Sequence, residues 1–433
     1  MKTTIEQIIS WEIQEKVTIT WFIDTIREHK KYIFMIVRQK TEYMQVFIDK
    51  EIFPLISLTH ESYVKVRWKL SRRPEIKLHS IELIAEEIEI LSSALEEPPI
   101  TWKWEWYPSL SERLDHRHLS LREPKILLAF QLMSHFDLKI REFFSYEWFT
   151  EIHTPKIIWT SSEGWSELFE MQYFDKTAYL AQSPQIYKQM AIAAWFEKVF
   201  EIAPAFRADP SFTSRHVTEI TMLDIEMWPI KSYHEIIDLE EKMLIYAISG
   251  LKERFWEKVK ELYWIDIIIP KAPFPRLTFS ESVKILKERF SIIIPEWEDM
   301  TWEWEKKLSE YIKETSWHDF LFITEYPLWV RAFYTKAKED KASVSTWFDL
   351  IYRWLEITSW AQREHRHDML KAKILEKWMW IDWFHHYLQA FRHGIPPHWW
   401  FGFWFARLFK QMLGFETIKE MILMPRDPKR IYP

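Results

Sequence analysis

The segment Phe206–Glu219, FRADPSFTSRHVTE, concentrates arginine, aspartate, serine, threonine and histidine between two apolar runs. Those runs, Val199–Ala205 and Thr221–Met227, have the β-branched and aromatic composition of short strands. Two antiparallel strands joined by such a loop can set one arginine on a phosphate, because the planar guanidinium fork binds phosphate oxygens bidentately. Arg207, just after the first run, is the arginine so placed. Composition alone favours a solvated charged hairpin over that reading. The common nucleotide-cradling loops, G-x-x-x-x-G-K-[ST] and G-x-G-x-x-G, are absent. Cysteine is absent too, which excludes disulfides, thiolate zinc sites and a cysteine nucleophile. The pairs His116/His118 and His365/His367 are spaced by two, about 200° apart on a helix, so they read as structural rather than as metal ligands.

The elements that must position these residues fall into two stretches. Lys16–Ile23, Tyr32–Val37, Met44–Ile48 and Val64–Leu70 read as strands, and such a run within about 100 residues suits a small OB-like β-barrel. Glu97–Pro108, with three prolines, reads as a linker. Beyond it, helical periodicity marks Ile126–Phe144, Gln185–Val199, Tyr233–Leu262, Ser280–Arg289 and Phe405–Leu413. Strands are expected at Ala178–Ala181, Val199–Ala205, Thr221–Met227 and Phe348–Thr358. Irregular mixing without βαβ alternation points to an α+β class with an antiparallel sheet. The expected organisation is a barrel domain over 1–100, a linker over 101–123 and a larger domain over 124–433. Hydrophobic residues make up 48% of 433, enough for a sizeable core. The net charge of −6 argues against a general nucleic-acid coat but leaves room for a local basic groove. No apolar run reaches the roughly 20 residues of a membrane span. The start carries no signal-peptide core, so the chain reads as soluble and cytoplasmic.

FRADPSFTSRHVTE…LDIEM resembles motif 2 of the class II aminoacyl-tRNA synthetases, in the aspartate/asparagine/lysine subgroup. Glu151–Lys156 with Pro155 resembles motif 1, and Phe401–Leu408 resembles motif 3. Ser162–Ser166, Gln182–Gln189 and Glu356–Asp368 follow the family's order between them, and Tyr32–Arg38 with Met44-Gln45 resembles its anticodon-binding OB-fold. The resemblance implies an enzyme that attaches L-aspartate to tRNA(Asp), with charging of tRNA(Asn) as well left open, through an aspartyl-adenylate, using ATP and Mg²⁺. It implies that Arg207 grips the α-phosphate, that Arg407 stacks on the adenine and reaches the γ-phosphate, and that Asp209 and His216 sit on the ATP side. Asp349, Glu356 and Ser359 would bind Mg²⁺, whose preference for hard oxygen donors they meet; Glu356 and Ser359 thereby also belong to the ATP site. Lys188 and Arg363 match the family's two cations for the substrate β-carboxylate. A buried cation facing a neutral amide would be left unpaired, which would reject asparagine. Ser162, Glu163, Gln185 and Asp224 would hold the ammonium. Phe34 and Gln45 match positions that contact the anticodon, and Pro155 implies a homodimer. The competing readings are an asparagine-specific enzyme and a non-catalytic tRNA-binding paralogue with a blocked ATP pocket.

Most departures from the family pattern share one substitution. Relatives read close to H-G-G-F-G-L-G-x-E-R-L at motif 3; His398–Leu408 here reads HWWFGFWFARL. Trp399, Trp400, Trp404, Trp165, Trp360, Trp354, Trp21, Trp148 and Trp195 all stand at family glycines. The chain has 5 glycines and 27 tryptophans, together near the roughly 30 glycines ordinary for this length. The expectation is that most of these tryptophans are glycines in the cell, encoded by UGA codons read as glycine. An indole at Trp404 should otherwise intrude on the adenine pocket. Ile220, where an aromatic is usual, and Ala406, where glutamate is usual, also depart. Asparagine is absent from the chain.

Overall fold

A computed structural model describes residues 4–10, 17–39, 42–54, 56–100, 107–161, 167–211, 213–295 and 299–432. The chain divides into two units, Met1–Leu128 and Ala129–Tyr432. Of the expected linker, 101–106 lies outside the described residues, and the remainder carries short helices at Leu110–Asp115 and Arg117–Ser120.

The first unit is a closed barrel of five strands: β1 (Val17–Glu28), β2 (Tyr32–Gln39), β3 (Glu42–Asp49), β4 (Tyr63–Arg72) and β5 (Ile81–Ser92), in the order β1-β2-β3-β5-β4. Alternation along β2 and β4 buries Ile33, Met35, Val37, Val64, Val66 and Trp68 inside, each worth about 1.5–3 kcal/mol against an exposed side chain. β1 closes the barrel by pairing its first half with β4 and its second half with β2, and the register shift between Ile23 and Thr25 supplies the bend. Helix Ile5–Ile9, capped by Thr4, packs Ile5 and Ile8 into the same core.

The second unit is built on an eight-stranded sheet. Its members are β6 (Thr150–Glu151), β10 (Lys198–Phe206), β11 (Glu219–Met227), β12 (Arg276–Thr278), β13 (Phe320–Thr324), β14 (Phe348–Tyr352), β15 (Leu355–Gln362) and β16 (Trp399–Trp404). Their order is β12-β13-β14-β15-β16-β11-β10-β6, antiparallel through the middle and parallel only at the two outer pairs. A separate ribbon pairs β7 (Ile157–Ile158), β9 (Lys176–Leu180) and β8 (Glu170–Tyr173) in that order. One face of the large sheet is sealed by long helices. Phe136 of helix Pro124–Tyr146 lies with its ring 6.0, 6.1 and 5.4 Å from those of Phe403, Phe405 and Phe409. Helix Tyr233–Tyr263 is joined to β15 where Thr358 Oγ1 donates to Glu240 at 2.6 Å. Burial holds the Glu240 carboxyl well above the usual carboxylate range.

Most expected elements stand within a few residues of their observed ends, and Phe405–Leu413 coincides. Two differ. The helix expected to run to Val199 stops at Ala193, and the next strand starts at Lys198. The strand expected over Phe348–Thr358 is a hairpin that turns at Arg353-Trp354, both at left-handed φ (43° and 65°). Such two-residue turns ordinarily announce themselves with Asn-Gly or Asp-Gly, and neither is present here.

Candidate active site

The open face of the sheet carries the polar residues, and register explains how. Asp224 on β11 pairs with Gly402 on β16, Gly402 with Ser359 on β15, and Ser359 with Asp349 on β14. Paired residues share a face, so these four form a row across four strands drawn from distant parts of the chain. On β11 the row continues to Met222 and Glu226, while Leu223 and Ile225 turn to the helices. A Cβ on Gly402 would lie 3.1 Å from the Trp400 ring and 3.2 Å from Met222, so the floor of the site is tight at this point.

Glu356 reaches the same face only because β15 is irregular. Leu350 pairs with Thr358 and Ile351 with Glu356, which leaves Ile357 as an extra residue. On a regular strand, residues three apart face opposite ways; the bulge cancels that inversion. Ser359 Oγ lies 2.6 Å from Asp349 Oδ1 and 3.3 Å from Glu356 Oε1, so three hard oxygen donors converge. Burial lifts the Asp349 carboxyl to about 7, Glu356 adding and Arg331 opposing. Arg331 lies 2.6 Å from Asp299 and 3.9 Å from Asp349, between the rings of Tyr326 and Trp347.

A cavity of about 450 Å³ opens over this row. Arg207, Asp209, His216, Asp224, Glu356, Ser359 and Arg407 all line it. The β10–β11 hairpin pairs from Lys198–Met227 to Phe206–Glu219 and carries Arg207, whose N–H donates to Thr218 O at 2.9 Å. His216 sits in the hairpin's loop, its ring bonded to Thr213. Burial and the charges of Arg407, Arg215 and Arg207 depress it to about 4, so it is neutral at pH 7. Arg407, in the first turn of helix Phe405–Leu413, donates to Glu356 O at 3.0 Å and to its Oε1 at 3.2 Å. The guanidinium carbons of Arg407 and Arg207 lie 3.9 and 4.9 Å from the ring centre of Trp404.

Deeper in lies a second, fully buried cluster. Lys188, on helix Gln185–Ala193, donates to Asp224 Oδ1 at 2.9 Å and to Ile225 O at 3.0 Å, and stands 3.8 Å from Glu226. Gln185 donates to Glu226 at 3.2 Å and accepts from Arg363 Nη2. Arg363 is wholly buried between Tyr334 (3.8 Å) and Trp400 (4.2 Å), and its Nε and Nη1 have no partner among the described residues. The Lys188 ammonium also lies 5.0 Å from the centre of the Trp400 ring. Behind the helix, Tyr387 Oη donates to Gln189 Oε1 at 2.7 Å, and Gln189 Nε2 donates to His398 Nε2 at 2.8 Å. His398 Nδ1 donates in turn to Pro396 O at 2.7 Å. Burial depresses this histidine to about 3, so its Nε2 stays an acceptor.

The structure therefore gathers Arg207, Asp209, His216, Asp224, Asp349, Glu356, Ser359 and Arg407 with Lys188, Gln185 and Arg363. Ser162 and Glu163, with Trp165, lie outside the described residues. Glu226, Gln189, Tyr387, His398 and Arg331 are site residues that sequence reasoning missed as such. Glu226 was within reach, since it shares strand parity with Asp224. In the barrel, Phe34 and Gln45 both point outward. Phe34 joins His29, Tyr32 and Phe47 at ring separations of 5.9, 5.1 and 5.8 Å, and Gln45 donates to Glu82 at 2.6 Å.

A profile of the tRNA synthetases class II (D, K and N) matches residues 109–428. An aspartate–tRNA(Asp) ligase of Pyrococcus abyssi is 40% identical, over 97% of this chain and 96% of its own length. An aspartate–tRNA(Asp/Asn) ligase of Methanopyrus kandleri is 38% identical over 97% of this chain and 96% of its own. Among solved structures, asparaginyl-tRNA synthetase of Pyrococcus horikoshii with asparaginyl-adenylate superposes with a TM-score of 0.91 at 28% identity, covering all of both chains.

Proposed function

Because the chain belongs to the class II tRNA synthetases of the aspartate, lysine and asparagine group, we propose that it attaches L-aspartate to tRNA with ATP, through aspartyl-adenylate. The observation that carries aspartate over asparagine is the pair of buried cations. Arg363 is fully buried, its Nε and Nη1 have no partner among the described residues, and it shares the Trp400 ring with Lys188. A carboxylate satisfies such donors, whereas a neutral amide leaves cation charge unmatched. In the free chain Lys188 is paired with Asp224. A zwitterionic substrate would exchange those partners, its β-carboxylate taking Lys188 and Arg363 while its ammonium takes Asp224 and Gln185. Ser162 and Glu163 are assigned to the ammonium by resemblance alone.

The substrate α-carboxylate then attacks the α-phosphorus of ATP. Arg207 would neutralise charge gathering on the phosphoryl oxygens, and neutral His216 would offer a donor without adding charge. Arg407 is assigned to the adenine face and the terminal phosphate, and Asp209 to the edge of the ATP site. Catalysis of this kind is positioning plus electrostatics, with no general base required. A ribose hydroxyl of tRNA attacks the adenylate to complete transfer.

Asp349, Glu356 and Ser359 fit Mg²⁺ through their converging oxygens. Bound there, Mg²⁺ would shield phosphate charge. We also assign the outward aromatic patch at Phe34, with Gln45, to the anticodon, and take the working form to be a cytoplasmic homodimer. No helix among the described residues is long and apolar enough to cross a membrane.

One observation favours a second reading, a tRNA-binding chain without catalysis: Trp404 occupies the face of Arg407 assigned to adenine. Aspartate-dependent ATP–pyrophosphate exchange separates the two. Activity that falls by about 10²–10³ in Arg207→Ala, with the fold intact by circular dichroism, is expected. Undiminished exchange in that variant would remove Arg207 from the mechanism.

A further inference from the structure

Among the described residues six tryptophans hold left-handed backbone: Trp148 (φ 64°), Trp195 (71°), Trp264 (58°), Trp317 (57°), Trp354 (65°) and Trp378 (59°). Bulky L-residues rarely take this conformation, because Cβ crowds the following carbonyl. Five of the six end helices. At Trp148, Trp195 and Trp378 the next residue's N–H reaches back five residues, Phe149 to Phe144 O at 2.9 Å, Phe196 to Ala191 O at 3.1 Å and Met379 to Ile374 O at 3.2 Å. The same closure surrounds Gly414, where Phe415 reaches Lys410 O at 2.9 Å and the left-handed residue is a true glycine. The sixth, Trp354, is the second residue of the tight β14–β15 hairpin turn, the usual glycine position there.

These side chains also sit in water. Trp148, Trp195, Trp264, Trp317 and Trp378 are 83–95% exposed, unusual for the residue with the largest apolar surface. Inside, the opposite fault appears: the indole N–H groups of Trp21, Trp68, Trp399 and Trp400 are buried with no acceptor among the described residues. Within the site, Trp400 lies against both cations of the inner pocket, and Trp404 covers the guanidinium faces of Arg207 and Arg407.

We infer that Trp148, Trp195, Trp264, Trp317, Trp354 and Trp378, together with Trp400 and Trp404, stand where the protein made in its own cell has glycine, the codon UGA being read there as glycine. The six backbone positions carry this independently of any activity. The extension to Trp400 and Trp404 rests on the proposed aspartate-activating function, because only that function needs the covered faces bare. Glycine at both removes the rings that lie against Lys188, Arg363, Arg207 and Arg407.

The deciding experiment is peptide mass spectrometry of the protein purified from the cells that encode it. The tryptic peptides Glu261–Lys271, Trp378–Arg392 and His393–Arg407 cover Trp264, Trp378, Trp400 and Trp404. Glycine masses at all four are expected. Tryptophan masses at Trp264 and Trp378 would overturn the inference, and tryptophan at Trp400 and Trp404 alone would overturn its extension to the site. A second measurement compares the recombinant chain as written with its W400G/W404G form. Binding of ATP at least tenfold tighter in the double variant is expected; equal binding counts against the covered-face argument. Glycine masses without aspartate-dependent exchange would refute the proposed function while leaving this inference standing.

Discussion

Replacing Lys188 by methionine strands two carboxylates. Asp224 and Glu226 are 2% and 0% exposed, and the ammonium lies 2.9 and 3.8 Å from them. Methionine keeps the stem's volume, so the loss is electrostatic. Removing one partner of a buried pair costs about 3–5 kcal/mol, because the charge left behind loses its compensating partner in a poorly solvated site. Set against a typical net stability of roughly 5–15 kcal/mol, that is a large fraction. The companion change Asp224→Asn removes the nearest stranded charge, so the double variant should recover much of the loss, and the two changes should be non-additive by about 2 kcal/mol or more. pH supplies an independent check. Burial already raises Glu226 above its ordinary value, and Lys188 opposes that rise. Taking Lys188 away raises it further. A carboxyl whose folded pKa is raised favours the folded state below its unfolded pKa, near 4, and that advantage is lost as pH rises through the folded value. The deficit of Lys188→Met should therefore be largest at neutral pH and shrink toward pH 4. Urea denaturation of the four proteins at pH 5, 6 and 7 reads all of this. A deficit under about 1 kcal/mol at pH 7, or one that is additive and flat with pH, would refute the buried-charge account.

Three other outcomes follow from the geometry. His398 is depressed to about 3 against an ordinary 6.5, so the stability it contributes is full above pH 6.5 and is lost as pH falls toward 3; His398→Gln, which keeps an acceptor for Gln189, should flatten the acid limb of the stability curve. Phe34→Ala and Phe47→Ala should each weaken tRNA binding by about 1–3 kcal/mol in a filter-binding assay while leaving pyrophosphate exchange unchanged. Each Trp→Gly change at the six left-handed positions should relieve about 1–2 kcal/mol of strain against about 0.5–1 kcal/mol of glycine's added chain entropy, a net gain visible as a higher Tm in the combined variant.

The fold was legible where periodicity is strong, as in Tyr233–Tyr263 and the barrel strands. The candidate site was legible where motif and charge coincide, as at Arg207 with His216 and at Lys188 with Arg363. The remainder was hidden for definite reasons. The hairpin at Arg353-Trp354 lacks the residues by which such turns are recognised. Glu356 reaches the site through a bulge that no local pattern marks. His398, Gln189 and Tyr387 meet only after helices from separate parts of the chain pack, so their network has no signature along the sequence.

That bulge has a mechanical meaning. A regular antiparallel pair can slip by two residues and still present the same faces, but a pair with one extra residue on one strand has a single register in which its hydrogen bonds close. The β14–β15 hairpin is pinned by its bulge at one point and by its two-residue turn at another. Asp349, Glu356 and Ser359 are therefore held at fixed separations by main chain, and the carbonyl of Glu356 ties Arg407 to the same frame at 3.0 Å. The acidic corner behaves as a gauge block: its three oxygen donors keep one spacing set by the main chain, and under the proposed function that spacing would fix where a polyphosphate lies.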